Sequence, residues 1–410
     1  MTHDNAVKLG PDLDRLAVSN LLAQSGEQIA LAAAPIVAVV MLGANIAETG
    51  GLQTILTLPF LLLAVPAGLL ADRVSRRGLM VAAEALRAAA MLAVLGLVLS
   101  GEITWPLLAG LGFLAVAGTV VFSVAAPAIV PSLVTPALLS TANARIELGR
   151  TMAFAAGPAL GGMLVGWSGA EAAYALAAAL SVGTVLLLRG LNEPRLPRAK
   201  RPPILKGLGE GVAFVARHRL LAPVFVTQFV FNIGCFVNIT AFVPHAVHGL
   251  GMSPAAIGIV LGMYGFGSVA GALLAPKVFQ AISFGSVVAI GPISGLAGAV
   301  SMALTVWFPF PALAALGFLL MGAGPVLWVI STTTIRQSVT PASMLGRVSA
   351  INILAYSARP IGAGLAGLIG GVFGVEACLL TAVALFLLQA LVMLLSPLPR
   401  LIDQPAAETA

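Results

Sequence analysis

The chain has 410 residues, of which 59% are hydrophobic and only 9% are charged, and its mean hydropathy is +1.05. A soluble domain carries about 25% charged residues, so this composition excludes a soluble globular protein and indicates an integral membrane protein. The net charge of +6 would suggest a nucleic-acid partner in a soluble chain. We attribute it instead to arginines held at one membrane face, and we expect no nucleic-acid partner.

Apolar segments long enough to cross a bilayer recur along the whole chain. A transmembrane helix needs about 20 mostly apolar residues, and internal glycine and proline are tolerated in such helices. We therefore predict an all-α membrane protein with twelve transmembrane helices. The predicted spans are 16–41, 52–71, 78–100, 105–130, 146–167, 171–189, 221–246, 254–276, 284–306, 310–335, 348–373 and 376–397.

The positions of the basic residues predict the orientation of these spans. Eighteen of the 21 lysines and arginines lie outside the spans or at their edges. If the N-terminus is inside, all eighteen are cytoplasmic, while the opposite loops contain no basic residue and carry Glu48, Glu102, Glu171 and Glu376. This distribution predicts that both termini are cytoplasmic, and we expect a multi-pass protein of the cytoplasmic (inner) membrane.

The chain divides into two halves of six spans each. We predict an N-terminal bundle over 1–189, a basic, proline-rich cytoplasmic linker over 190–220, a C-terminal bundle over 221–398 and a cytoplasmic tail over 399–410. The tripeptide VTP recurs at an offset of 205 residues, half of the chain length. Duplicated bundles are typical of secondary transporters. Within the linker, the segment EGVAFVARHRLL could form an amphipathic helix on the membrane surface or remain a solvated connection.

The first span carries the acidic residue of greatest interest, Glu27. It lies about 16 Å along the helix, near the middle of the bilayer, where ionisable residues usually face a cavity or a partner. Asn20, Gln24 and Gln28 share its helical face. We predict that Glu27 takes up and releases a proton or binds substrate; the alternative is a structural carboxylate that is hydrogen-bonded to a neighbouring helix.

The connection between spans 2 and 3 carries the most recognisable motif, GLLADRVSRR. With GPALGG in span 5 and GRVSA before span 11, it makes the chain similar to the major facilitator superfamily, and in particular to its branch of enterobactin-type siderophore exporters and macrolide efflux pumps. Ser75 stands where that family usually has glycine. Span 4 also lacks the arginine that many of the family's drug/proton antiporters carry there.

The resemblance implies a set of gating residues. In the family the loop between helices 2 and 3 closes the cytoplasmic side, and helix pairs 5/8 and 2/11 join the two bundles. Two further acid–arginine pairs, Glu84–Arg87 and Glu147–Arg150, have i, i+3 spacing, and we place both near the cytoplasmic face as supports of this loop. The predicted gating set is Gly68, Asp72, Arg73, Arg76, Arg77, Glu84, Arg87, Glu147, Arg150, Gly157, Pro158, Gly161 and Gly162.

Spans 7 and 11 supply the remaining candidate substrate ligands. Arg359 lies about 12 residues into span 11 and could bind a carboxylate or catecholate of a substrate, pair with Glu27, or extend to the cytoplasmic surface. Gln228 and Asn232 share one face of span 7, and in the family helices 1, 4, 7 and 10 line the transport cavity. The alternative for these two amides is interhelical hydrogen bonding.

Motif searches exclude several classes of function. The chain has four lysines, none of which stands in a phosphate-binding loop, and it carries neither H-E-x-x-H nor G-x-S-x-G, so we predict no enzyme activity, cofactor or metal site. We predict a monomeric secondary exporter of a small organic molecule, drug-like or siderophore-like, that works by alternating access and proton antiport. The alternatives are a non-transporting receptor or lipid-interacting protein with the same fold, or a metal-ion exporter.

Overall fold

The computed structural model describes residues 10–135, 138–193, 204–341 and 355–405, together with residues 344, 348 and 351. All regular structure in these ranges is helical. The helices are α1 (Pro11–Val40), α2 (Ile46–Arg73), α3 (Arg76–Leu99), α4 (Trp105–Leu133), α5 (Leu139–Ser168), α6 (Ala170–Arg189), α7 (Ile204–Arg217), α8 (Leu221–His248), α9 (Pro254–Ala281), α10 (Phe284–Leu304), α11 (Pro311–Val339) and α12 (Ala358–Leu395).

Local signals explain where several helices begin. Asn45 and Glu48 form a reciprocal capping box at the start of α2, and the hydroxyls of Ser75, Ser253 and Ser283 accept hydrogen bonds from the first turns of α3, α9 and α10. Such caps satisfy backbone N–H groups that have no partner inside the helix.

Ten helical segments in the described part of the chain are long and apolar enough to cross a membrane. α5 is not among them, and its first turns carry Arg145, Glu147 and Arg150. α12 is a single helix in this set, although it is broken at Gly374, whose φ of 82° is non-helical. The predicted spans 348–373 and 376–397 correspond to the parts of α12 on either side of this glycine. The start of the first of these two spans, before residue 355, falls mostly outside the described residues.

The linker contains a helix, α7, that overlaps the suggested segment 210–221 but begins at Ile204 and ends at Arg217. Its buried Val215 packs in a cluster with Leu221 and Val224 of α8. α7 therefore lies against the start of α8, which favours the helical interpretation of this segment over an extended solvated connection.

The helices form two packed groups with two main contacts between them. α1 packs on α5 and α6, α3 on α4 and α6, and α2 on α4; in the second group, α8 packs on α12, α9 on α11, and α10 on α11 and α12. Contacts of α5 with α9 and of α2 with α12 join the groups. These are the helix pairs that the family resemblance implied.

Glycines make both joining contacts possible. A Cβ atom added at Gly162 of α5 would overlap the backbone of Gly258 in α9, and one added at Gly50 of α2 would overlap the backbone of Gly367 in α12. Gly162 and Gly367 are separated by 205 residues, the offset of the repeated VTP. The two contacts therefore occupy equivalent places in the two halves, at the end of the bundle that lacks basic loops.

Candidate functional site

Glu27 lies in the interior of the first helical group. Its side chain is 8% exposed, and its Oε2 atom has no hydrogen-bond partner among the described residues. It borders a cavity of about 30 Å³, together with Arg87, Thr119, Tyr174 and apolar residues of α1 to α4. This volume is large enough for a water molecule. Glu27 therefore faces a cavity, as the sequence predicts.

The other residues of the predicted polar stripe face α5. The Asn20 side chain donates to the backbone carbonyl of Ile146 at 3.0 Å. A Cβ added at Gly157 would overlap the Gln28 side chain, so these two residues are in close contact. Gln24 is partly buried. Asn20 and Gln28 thus make contacts between helices α1 and α5. Of the four residues in the polar stripe, only Glu27 lines the cavity.

The predicted Glu84–Arg87 pair forms, but its placement beside the cytoplasmic loop is wrong. Arg87 Nη2 and Glu84 Oε2 are 2.6 Å apart, and the two residues are 2% and 0% exposed. Arg87 also donates to Ser181 of α6, Thr119 of α4 and the carbonyl of Ala23 in α1. The pair lies eight to eleven residues inside α3, so it joins four helices in the interior of the first group.

The Glu147–Arg150 pair of α5 forms as predicted. Arg150 Nε is 3.0 and 2.9 Å from the two carboxylate oxygens of Glu147, and both side chains are about half exposed, at 51% and 56%. Arg150 lies within electrostatic range of Glu27 and Tyr356. The pair therefore faces the space between the two groups of helices.

Arg359 is held in an aromatic cage. Its guanidinium carbon lies 5.4 Å from the ring centroid of Phe60, 5.5 Å from that of Phe236 and 4.6 Å from that of Tyr356. Such contacts are attractive for a cation. Phe60 belongs to α2 and Phe236 to α8, so both halves contribute to the cage.

The polar contacts of Arg359 exclude one of its three predicted roles, the ion pair with Glu27. Its Nε donates to Asn232 Oδ1 at 3.2 Å, and Asn232 in turn donates to the carbonyl of Gln228 at 2.9 Å. No described acidic side chain forms an ion pair with it, so pairing with Glu27 is absent, although Glu27 lies within electrostatic range. Arg359 is the second residue of the described α12 rather than the twelfth of a continuous helix.

The motif loop is fastened to the end of α6. The Ser75 hydroxyl donates to Glu193 Oε2 at 2.6 Å, and the backbone N–H groups of Arg76 and Arg77 donate to the same carboxylate at 3.1 Å each. The Arg77 side chain donates to the carbonyls of Leu188 and Arg189. Burial opposes ionisation of Glu193, but these hydrogen bonds hold the pKa of its carboxyl below the ordinary value.

Part of the predicted gating set lies outside the described residues. The side chains of Asp72 and Arg73 lie outside the described residues. A Cβ added at Gly68 would meet open space, whereas one at Gly161 would overlap the backbone of Ile29 in α1. Pro158 lies inside α5 between these glycine contacts. The glycines of α5 therefore pack on α1 as well as on α9.

Seven participants in these contacts were not predicted: Thr119, Tyr174, Ser181, Glu193 and the three cage residues Phe60, Phe236 and Tyr356. Glu193 carried a signal, because it stands immediately after span 6 in an otherwise basic linker. Tyr174 also stands out, as one of only three tyrosines in the chain. The hydroxyls of Thr119 and Ser181 gave no signal, since isolated Thr and Ser are common in transmembrane helices.

Comparison with known proteins identifies the family. A family model described as a transmembrane secretion effector of the MFS type matches residues 15–409. The chain belongs to this major facilitator family. An uncharacterized MFS-type transporter, y4rN, of Sinorhizobium fredii (strain NBRC 101917 / NGR234) is 30% identical over 256 residues. That match spans 59% of this chain and 60% of the relative's length.

Solved transporters share the fold. The nucleoside transporter NupG (D323A mutant) superposes with a TM-score of 0.71 at 15% identity, covering 93% of this chain and 99% of that one. A bacterial homologue of the iron transporter ferroportin gives a TM-score of 0.72 in its inward-facing state, at 17% identity and 93% and 98% coverage. Its outward-facing state gives 0.61, at 16% identity and 94% and 99% coverage. The chain is thus a multi-pass membrane protein with a transporter fold.

Proposed function

We propose that this major facilitator protein exports a small organic molecule across the cytoplasmic membrane by proton antiport. Glu27 binds the proton, and Arg359 with Asn232 and Gln228 binds the substrate. In this proposal twelve helices cross the membrane, namely α1 to α6, α8 to α11 and the two parts of α12. Both termini are cytoplasmic. The two six-helix bundles, 1–189 and 221–398, rock about the site between them.

The buried position of Glu27 is the observation that carries the proposal. A carboxyl group with an oxygen that has no partner, beside a cavity in an apolar bundle, costs little when protonated and much when ionised. Binding and release of a proton would therefore change the energy of the surrounding helices. An ATP-binding loop is absent from the sequence, so transport runs downhill or couples to an ion gradient, and the buried carboxyl group of Glu27 favours coupling.

The environment of Arg359 favours a substrate that carries an anionic or catecholate group. A half-buried guanidinium without an acidic partner can accept an anion without first breaking an ion pair. The three rings around it would pack against an aromatic or apolar part of the same molecule. A substrate of amphiphilic, siderophore-like or drug-like character fits both features.

The packing of the two groups supports an inward-facing state. The glycine contacts Gly162–Gly258 and Gly50–Gly367 close the bundle at the end without basic loops, which is extracellular in the proposed orientation. The higher TM-score with the inward-facing than with the outward-facing ferroportin homologue agrees with this assignment.

Transport in proteoliposomes tests the proposal. A thermal-shift screen of catecholate siderophores, macrolides and cationic dyes first identifies a ligand, and its flux is then measured with and without an imposed pH gradient. We expect the gradient to drive flux in the wild type, and Glu27→Gln to abolish gradient-driven flux while ligand binding persists. Glu102→Gln, an exposed carboxylate in the α3–α4 connection, serves as the control. Flux that ignores the pH gradient would exclude proton coupling, and a bound ligand without flux would favour a receptor.

A further inference from the structure

Glu27 is not alone in the interior of the first helical group. Glu27, Glu84 and Arg87 are 8%, 0% and 2% exposed, and Glu27 lies within electrostatic range of both other residues. The cavity of about 30 Å³ is lined by Glu27 and Arg87 together. The three side chains therefore form one charged cluster, enclosed by α1, α3, α4 and α6.

Arg87 is the only cation of this cluster, and its hydrogen bonds fix its position. Its Nε donates to Ser181 Oγ at 3.1 Å and its Nη1 to Thr119 Oγ1 at 3.2 Å. Its Nη2 donates both to the Ala23 carbonyl at 2.8 Å and to Glu84 Oε2 at 2.6 Å. Ala23 is one helical turn before Glu27 in α1, so the guanidinium joins Glu84 to the helix that carries Glu27.

The two carboxylates exceed the available positive charge. Glu84 Oε1 and Glu27 Oε2 are both buried without a hydrogen-bond partner among the described residues. If all three groups were ionised, the cluster would carry one net negative charge in an apolar interior. A buried charge without compensation is strongly unfavourable, and a bound proton removes it.

We propose that Glu27, Glu84 and Arg87 together bind one proton, which the two carboxyl groups share with Arg87 as their common partner. In the protonated cluster the net charge is zero. On release, Arg87 has to neutralise both carboxylates at once. The cavity beside Glu27 and Arg87 has room for one water molecule as a proton carrier, and the hydroxyl of Tyr174, which has no hydrogen-bond partner among the described residues, borders the same space.

Two cations outside the cluster lie within electrostatic range of Glu27, and neither forms an ion pair with it among the described residues. Facing Glu27 from α5 and α12 are Arg150, already paired with Glu147, and Arg359, held in its aromatic cage. α6 contributes the neutral Tyr174. The lining residues from α2 and α4 are uncharged, Leu56 and Thr119 among them.

Infrared difference spectroscopy of the purified protein, titrated with acid and base without substrate, tests this proposal. The C=O stretch of protonated carboxyl groups reports the number of bound protons. We expect one cluster proton at neutral pH in the wild type and none in Glu84→Gln, because Glu27 then pairs with Arg87 alone. The pH midpoint of proton release should fall by at least about one unit. Arg87→Gln should have the opposite effect and bind two protons.

Asp12→Asn is the matched control, because Asp12 forms an i, i+3 pair with Arg15 at 3.2 Å that is partly exposed; it should leave the cluster band unchanged. If Glu84→Gln does not fold, Glu84→Asp provides the second test: it keeps the charge balance, and the C=O band should shift in frequency because residue 84 shares the proton, whereas an unchanged band would show that Glu27 binds the proton alone. A wild-type band that survives in Glu84→Gln would show that Glu27 binds the proton alone. Absence of the band from the wild type would overturn the shared site. The coupling of this proton to export rests on the proposed function, but the titration needs no transport, so the two can fail separately.

Discussion

Ser75 shows how one residue changes a family motif. Where the family usually has glycine, the Ser75 hydroxyl accepts from the backbone N–H of Gly78 at 3.0 Å and donates to Glu193. It therefore caps α3 and holds a carboxylate at the positive end of that helix, where an anion is stabilising. The substitution ties the loop between α2 and α3 to the beginning of the linker.

Replacement of Ser75 tests this interpretation. Ser75→Ala should lower the free energy of unfolding by about 1 kcal/mol, because a helix cap and its hydrogen bond to Glu193 are lost. Thermal unfolding in detergent measures the change. Gly96→Ala in the same helix is the control, since its Cβ would meet open space. An unfolding temperature equal to that of the wild type would show that the cap does not contribute.

Glu193 gives this contact a pH dependence. Because the folded-state pKa of Glu193 is lowered, its stabilisation is present above the pKa of the unfolded chain and is lost as the pH falls through the folded pKa. We therefore expect Glu193→Gln to be less stable than the wild type at neutral pH and to converge with it in acid. A constant difference between the two unfolding curves across pH would contradict the assignment.

At the scale of helices, glycine contacts hold the two groups together at one end. Ala47 of α2 and Gly371 of α12 approach each other there, and a Cβ added at Gly371 would lie 3.1 Å from the Ala47 Cβ. Disulfides need Cβ atoms about 3.5–4.5 Å apart, so a small adjustment would allow one. Alternating access requires these helices to separate, because the site must open at this end.

A cross-link tests this requirement. In a background with Cys235→Ala and Cys378→Ala, Ala47→Cys with Gly371→Cys should form a disulfide under oxidation and stop transport, and reduction should restore it. Gel mobility after proteolytic cleavage of the linker reports the cross-link. The single variants Ala47→Cys and Gly371→Cys serve as controls. Transport that continues in the fully cross-linked protein would exclude separation of α2 and α12.

At the scale of the whole molecule, the charge distribution predicts the orientation in the membrane. Glu102, in the connection between α3 and α4, and Asp403, near the end of the described chain, are both exposed. The native cysteines are both buried, so they should react little with a thiol-labelling reagent. The two positions should lie on opposite sides of the membrane.

Labelling of intact cells with an impermeant maleimide measures this topology. Glu102→Cys should react from outside, whereas Asp403→Cys should react only after the membrane is permeabilised. The reverse pattern would invert the proposed orientation, and labelling of both positions from outside would require an even number of crossings between them.

Local patterns were sufficient for the helices and the membrane class. Apolar length predicted α1 to α6 and α8 to α11, because a segment in a bilayer must satisfy its own backbone hydrogen bonds and therefore becomes helical. The i, i+3 spacing of Glu84–Arg87 and Glu147–Arg150 predicted both ion pairs, since residues three apart are neighbours on a helix. Glu27 was also singled out by a local pattern, because it is the one carboxylate within span 1.

The sequence by itself determined the membrane class, the helices and their acid–arginine pairs. Only the tertiary structure decided the rest: the burial of Arg87 among four helices, the contact of Ser75 with Glu193, and the cage that Phe60 and Phe236 form around Arg359. These contacts join residues that are 32 to 299 positions apart in the chain. Membrane helices that are apolar on every side give little indication of which face meets a neighbour and which meets lipid, so helix packing alone settled these contacts.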